Sequence, residues 1–179
     1  MTAAGHPNGS GEPPDPHTAA DSALPDLQQA ARHPGILELL QTVSTMTLST
    51  AAPGGQPHAA PVYFAASPHF DLYFFSAGDS LHSRALQGDP RAAAAIYPLC
   101  RGWQDIRGLQ CHGTVALVES SPAWDAAWHL YQDKFPFVRA LKAIVARNRL
   151  YVLTPAWVRY LDNAQGFGYK QEYGTTQSR

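Results

Sequence analysis

The stretch with the greatest chemical potential runs Ser76-Ala77-Gly78-Asp79-Ser80-Leu81-His82-Ser83-Arg84, directly after a segment that reads as a strand. Asp79 or Ser80 can cap a helix that starts here, and a helix N-terminus offers free backbone N–H groups and the positive end of its dipole. Serine hydroxyls, the His82 imidazole and the Arg84 guanidinium stand close by in sequence. This combination suits a small anion, phosphate above all. The plainer alternative is a capping serine with an exposed histidine and arginine on a short helix.

Other chemistries leave less trace. The chain has no G-x-G-x-x-G after a strand, no G-x-x-x-x-G-K-[ST], no H-E-x-x-H and no G-x-S-x-G. Its eight histidines form no HxH or HxxxH pair, and Cys111 and His112, being adjacent, leave a strand on opposite faces, so no metal site is expected. Cys100 and Cys111 lack CxxC spacing and read as buried free thiols. No residue stands out as a catalytic acid or base.

Composition narrows the setting. Thirteen Lys and Arg against fourteen Asp and Glu exclude a strongly basic nucleic-acid clamp. An oligonucleotide-binding barrel that stacks bases on Tyr63, Tyr73 and Phe75 is therefore disfavoured. The longest apolar runs are interrupted by Pro and fall short of a membrane span. Before Leu24 there is no apolar segment of the kind a secretory signal needs, and a reducing cytoplasm is the expected location. Residues 1–23 carry Gly and Pro with nothing to bury, and read as a disordered tail ahead of one domain over 24–179. Without the tail's three acids, thirteen basic groups face eleven acidic ones, a slight bias toward an anionic ligand.

The elements that must position the 76–84 stretch are mostly strands. Apolar spacing from Leu24 predicts helix, divided at His33-Pro34-Gly35. Strands are predicted over Val43–Thr50, His58–Ala65 and Phe70–Ser76, with a turn at Pro53-Gly54-Gly55. A short helix to Leu86 closes at Gly88, and strands follow at Ala92–Tyr97 and Ile106–Glu119, the latter with a drier face of Leu109, Cys111, Gly113, Val115 and Leu117. Ser121-Pro122 opens a helix whose Trp124, Ala127, Trp128 and Tyr131 share one face and read as core. Past Pro136 a second amphipathic helix is predicted through Phe137, Leu141, Ile144 and Val145, then strands at Leu150–Leu153, Trp157–Leu161 and Phe167–Glu172. Many strands with short connections and few helices indicate a mainly β fold, a small antiparallel barrel with helical insertions.

Three blocks carry a resemblance: Met46–Thr50 with Gly55–Phe64; Leu72–Ser76 through Ser80, His82 and Asp89-Pro90-Arg91; and Ile106–Gly113. With the closing segment Trp157–Lys170, they are similar to the pyridoxamine 5'-phosphate oxidase-like FMN-binding split-barrel family, in an uncharacterised branch. The resemblance implies a split β-barrel homodimer with FMN at the subunit interface. It puts the flavin phosphate at Ser76, Ser80 and His82, the ring along the backbone of Val62, Tyr63 and Phe64, and Gln110 nearby, with Trp103 as a cover for a ring face. Two departures matter. Ala60 stands where true oxidases place a phosphate-binding Arg, and the Arg-x-His substrate clamp is missing from the closing segment. Oxidation of pyridoxamine phosphate is accordingly not expected. The implied function is an FMN-dependent oxidoreductase acting on an unknown small substrate, with a nicotinamide cofactor as a candidate electron donor. The alternative is a non-catalytic barrel that stores or senses a flavin, a deazaflavin or haem.

Overall fold

A computed structural model describes residues 24–174, so the expected tail over 1–23 lies outside the described residues, as do residues 175–179. Two short helices, α1 (Leu27–Ala30) and α2 (Pro34–Thr42), precede the sheet, separated where the His33-Pro34-Gly35 break predicts. His33 caps α2 through its ring, and Pro34 occupies the first turn, where a missing N–H costs nothing. Strand β1 (Thr45–Ala51) turns back into β2 (Pro57–Tyr63) through Gly54 and Gly55, both at positive φ of 87° and 82°. After β3 (Ala65–Ala66) and β4 (Leu72–Ser76) comes α3 (Leu81–Gly88), then β5 (Arg91–Ile96) and β6 (Arg107–Leu117). Helix α4 (Ser121–Lys134) and the single turn α5 (Lys142–Val145) form an excursion before β7 (Arg149–Asp162) and β8 (Lys170–Gly174).

The eight strands form one antiparallel sheet in the order β2-β1-β5-β6-β7-β4-β3, with β8 paired to β7. It curls as a split barrel, mainly β with helical insertions. Alternate residues of each strand turn inward: Met46 and Leu48, Leu72 and Phe74, and Leu109 and Cys111 are all buried. Burial pushes the Cys111 thiol up to about 12, which keeps it protonated and inert; Cys100 is also free. A second cluster joins Trp128, Tyr131, Phe135 and Val138 of the excursion to Ala65. Among the described residues no helix is long and apolar enough to cross a membrane.

Several boundaries differ from the sequence expectation. The two strands predicted around Pro155 are one, β7. Proline survives inside it because the register shifts between His112 and Gly113, at a bulge. Gly113 makes that close approach feasible, since a Cβ there would lie 2.0 Å from the Thr154 carbonyl oxygen. Phe70 is not in a strand: it sits at φ 73° in a turn held by Ser67, which accepts from the backbone N–H groups of His69 and Asp71. The last strand starts at Lys170, leaving Phe167 in a turn and 85% exposed. The second amphipathic helix is replaced by a 3-10 segment, Pro136–Leu141, and the one turn of α5. So short a stretch, entered through proline, nucleates α-helix poorly, and Phe137, Leu141 and Ile144 stay exposed.

Candidate functional site

The corner between β4 and α3 is built from its own residues. Ser80 is the N-cap of α3, its Oγ accepting from the Ser83 N–H at 3.2 Å and lying 2.8 Å from the Ser83 hydroxyl. Ser76, the last residue of β4, has its Oγ 3.2 Å from Ser80 Oγ and 2.6 Å from His82 Nε2. His82 is thus folded back over the strand end and only 8% exposed, which replaces the exposed-residue alternative. The His58 ring of β2 stacks nearly parallel to it at 6.2 Å. Burial first, and the neighbouring His58 second, lower the His82 pKa below the ordinary histidine value. The imidazole is therefore neutral at neutral pH in the free protein. Arg84 turns away, donating to the Asp79 carbonyl oxygen from an exposed position.

This corner opens into a cleft of about 470 Å³. Four residues singled out from the sequence, Val62, Tyr63, Ser76 and His82, line it together. The facing wall comes from the excursion, through Tyr131, Phe135 and Phe137. Tyr63 meets Phe135 edge-on at 5.4 Å and Phe137 at 6.3 Å. The Tyr131 hydroxyl reaches the carbonyl oxygens of Tyr63 at 2.7 Å and Tyr73 at 3.1 Å, tying helix to sheet. Burial raises its pKa far above the ordinary tyrosine value, so it remains a donor. β2 is an edge strand, leaving one side of its backbone free of the sheet.

The other candidates lie elsewhere. The Phe64 ring is fully buried in the core, so this residue can offer the cleft its backbone but not its side chain. Gln110 points outward from β6, 3.4 Å from Arg159 Nη1. Trp103 begins a 3-10 turn outside the cleft, with Phe167 at 5.8 Å and its carbonyl oxygen accepting from Asn163 Nδ2 at 2.8 Å. Neither residue lines the cleft of its own chain. Arg107, expected to be solvated or to meet an anion, makes a two-pronged ion pair with Glu38 at 2.8 and 3.0 Å. Sequence reasoning missed His58, Phe135 and Phe137. His58 carried no spacing signal; Phe135 lies just past the predicted aromatic stripe, and Phe137 was read as part of an amphipathic helix that does not form. Tyr131 was read as core, and it is core as well as cleft wall.

Residues 33–162 match the family model described as pyridoxamine 5'-phosphate oxidase. The chain belongs to this family. No curated protein matches it. Among solved structures, this member of the pyridoxamine 5'-phosphate oxidase family is similar to a heme binding protein from Mycobacterium smegmatis, at 20% identity and TM-score 0.65, over 86% of this chain and 60% of that one. It therefore spans less than two thirds of the mycobacterial protein. The heme storage protein HutZ from Vibrio cholerae aligns at 18% identity and TM-score 0.60, over 69% of this chain and 89% of that one. An FAD-binding protein from Mesorhizobium loti aligns at 19% identity and TM-score 0.54, over 68% and 88%. At these identities the likeness is one of fold.

Proposed function

We propose that this chain is an FMN-binding oxidoreductase of the pyridoxamine 5'-phosphate oxidase family that acts on an unknown small substrate as a homodimer. One observation carries the reading: Val62, Tyr63, Ser76 and His82, separated by up to twenty residues in sequence, border a single cleft whose volume lies within the range of small-molecule sites. The donor set fits a flavin mononucleotide. Hydroxyls, the α3 N-terminus and an imidazole suit the phosphate; apolar aromatic walls and a free strand edge suit the ring. Bound flavin would supply the electron transfer. The chain's own residues would hold the phosphate at Ser76, Ser80 and His82, align the ring along 62–64, and exclude water with Phe135 and Phe137.

The outward face of the sheet supports a second copy. Ala59, Ser49, Ala93, His112 and Trp157 are successive cross-strand partners through β2, β1, β5, β6 and β7, so their side chains share one face. Three of the five are small, and the row begins at β2, whose Val62 and Tyr63 border the cleft. Gln110 lies on the same face, which lets it serve a partner's flavin rather than its own.

Purified protein should release FMN on denaturation, or quench the fluorescence of added FMN to saturation at one per chain, and should scatter light as a dimer. No saturable quenching at high micromolar FMN would overturn the flavin assignment, and a strict monomer would overturn the interface. Steady cycling with reduced nicotinamide and an electron acceptor is expected; bound flavin without cycling would select the storage reading. A haem-binding reading is supported by the two heme-associated neighbours. Against it, His82 Nε2 is engaged by Ser76 instead of being free for an axial bond. A Soret band on haem addition, with no FMN quenching, would select it.

A further inference from the structure

A second cavity, of about 550 Å³, lies between α2, β3 and α4 and takes no part in the flavin reading. Its apolar wall is supplied by Leu37 and Leu40 of α2, Ala65 and Ala66 of β3, and Leu130 of α4, with Gln41, Ser67 and Asp133 as polar members of the lining. Lys134, on the last turn of α4, borders the same cavity. Its ammonium donates to the Leu40 carbonyl oxygen at 2.7 Å and sits 3.6 Å from the centre of the buried Phe64 ring.

What the ammonium lacks is an acid. Among the described residues no carboxylate forms an ion pair with it, and Asp133, the other charged residue at the cavity, is exposed. An ammonium has three N–H donors; its neighbours are one carbonyl and two ring faces, Phe64 at 3.6 Å and Phe135 at 5.5 Å, and none of them carries a negative charge. Burial alone brings the Lys134 pKa down to about 8, with no neighbouring charge holding it up. The group is nevertheless still mostly protonated at neutral pH. Ser67, the nearby hydroxyl residue, is committed to Asp71 and to backbone N–H groups, so no cluster of donors exists here for a phosphate dianion. One unpaired cation above an apolar chamber is complementary to a single negative charge on an apolar body.

We propose that this cavity binds a free medium-chain aliphatic monocarboxylate, with its carboxylate paired to Lys134 Nζ and its tail along Leu37, Leu40 and Leu130. The site is separate from the flavin cleft and does not depend on it.

The test titrates the full chain with octanoate and, as the uncharged control, 1-octanol, by calorimetry. Octanoate should bind about tenfold or more tightly than octanol, and Lys134→Met, which keeps the stem and removes the charge, should abolish the difference while leaving FMN quenching unchanged. Octanoate that fails to saturate at millimolar concentration, or binds no better than octanol, would overturn the proposal. A second measurement needs no variant. Acetic anhydride labelling near pH 8, read by mass spectrometry, should show Lys134 protected by octanoate and not by octanol, with Lys142 and Lys170 as internal controls. Equal Lys134 labelling with and without saturating octanoate would also overturn it. Loss of FMN binding with intact octanoate protection would count against the flavin reading alone.

Discussion

The two cavities draw their walls from neighbouring residues of the same chain stretch and of α4, yet treat positive charge differently. Tyr63 borders the proposed flavin cleft and Ala65 the second cavity, with Phe64 buried between them in the chain; Tyr131 and Lys134, one turn apart on α4, serve one cavity each. Desolvation lowers the pKa of His82 in the first and of Lys134 in the second. The consequences diverge because the starting points do. A histidine begins near physiological pH and is driven neutral, whereas a lysine starts so high that a value of about 8 still leaves it charged. The cleft therefore holds serine hydroxyls and a neutral imidazole, and on the proposed reading the imidazole would gain a proton when the phosphate binds. The second cavity holds a standing charge without a counterion.

The largest expected effect strikes the 63–65 stretch, which walls one cavity through Tyr63 and the other through Ala65. Phe64→Ala removes a fully buried ring that also underlies the Lys134 ammonium, and should cost about 3–5 kcal/mol in urea unfolding. A loss below about 1 kcal/mol would show that the wall is not a packed element. Tyr131→Phe should cost about 1–3 kcal/mol, because the Tyr63 and Tyr73 carbonyl oxygens lose their buried partner. It should also weaken FMN affinity while leaving octanoate affinity unchanged; equal losses at both sites would erase the distinction between the cavities.

A pH series sharpens the electrostatic contrast. A bound phosphate dianion raises the His82 pKa from its depressed free-state value, so binding takes up a proton. FMN affinity should be full below the free-state value, fall as pH rises from there to the bound-state value, and level off above it. His82→Ala should flatten the profile, as measured by quenching across pH. The smallest effect concerns Lys134. Its folded pKa is lowered, so between about 8 and the ordinary lysine value the unfolded chain holds more protons, and stability should rise with pH through that window. Lys134→Met should remove this rise and shift stability at neutral pH by less than about 1 kcal/mol, since a hydrogen bond and a desolvation cost disappear together. Denaturant titrations of both proteins at two pH values decide it.

The chemistry of the β4–α3 corner could be read in advance because it is local: a strand, a capping serine and a histidine within one helical turn span seven residues, Ser76 to His82. The hairpin at Gly54-Gly55 was readable for the same reason. The long β7 was not, because Pro155 is tolerated only through its pairing with Gly113, forty-two residues away in the chain. The cleft's far wall escaped for a related reason: helical spacing made Phe137 part of an amphipathic helix and left Phe135 at its border, and both gain meaning only by meeting Tyr63. Gln110 matched a family position and Trp103 was a candidate cover for a ring face, yet neither lines the cleft of its own chain.

By itself the order of residues determined the alternating strands, the turns, the capped helix and the set of groups able to meet a phosphate, since these depend on spacing and backbone preference over a few residues. Tertiary structure decided which of those groups lose water. Burial is a property of what the distant chain lays on top, and here it makes His82 neutral and leaves Lys134 charged without a carboxylate partner.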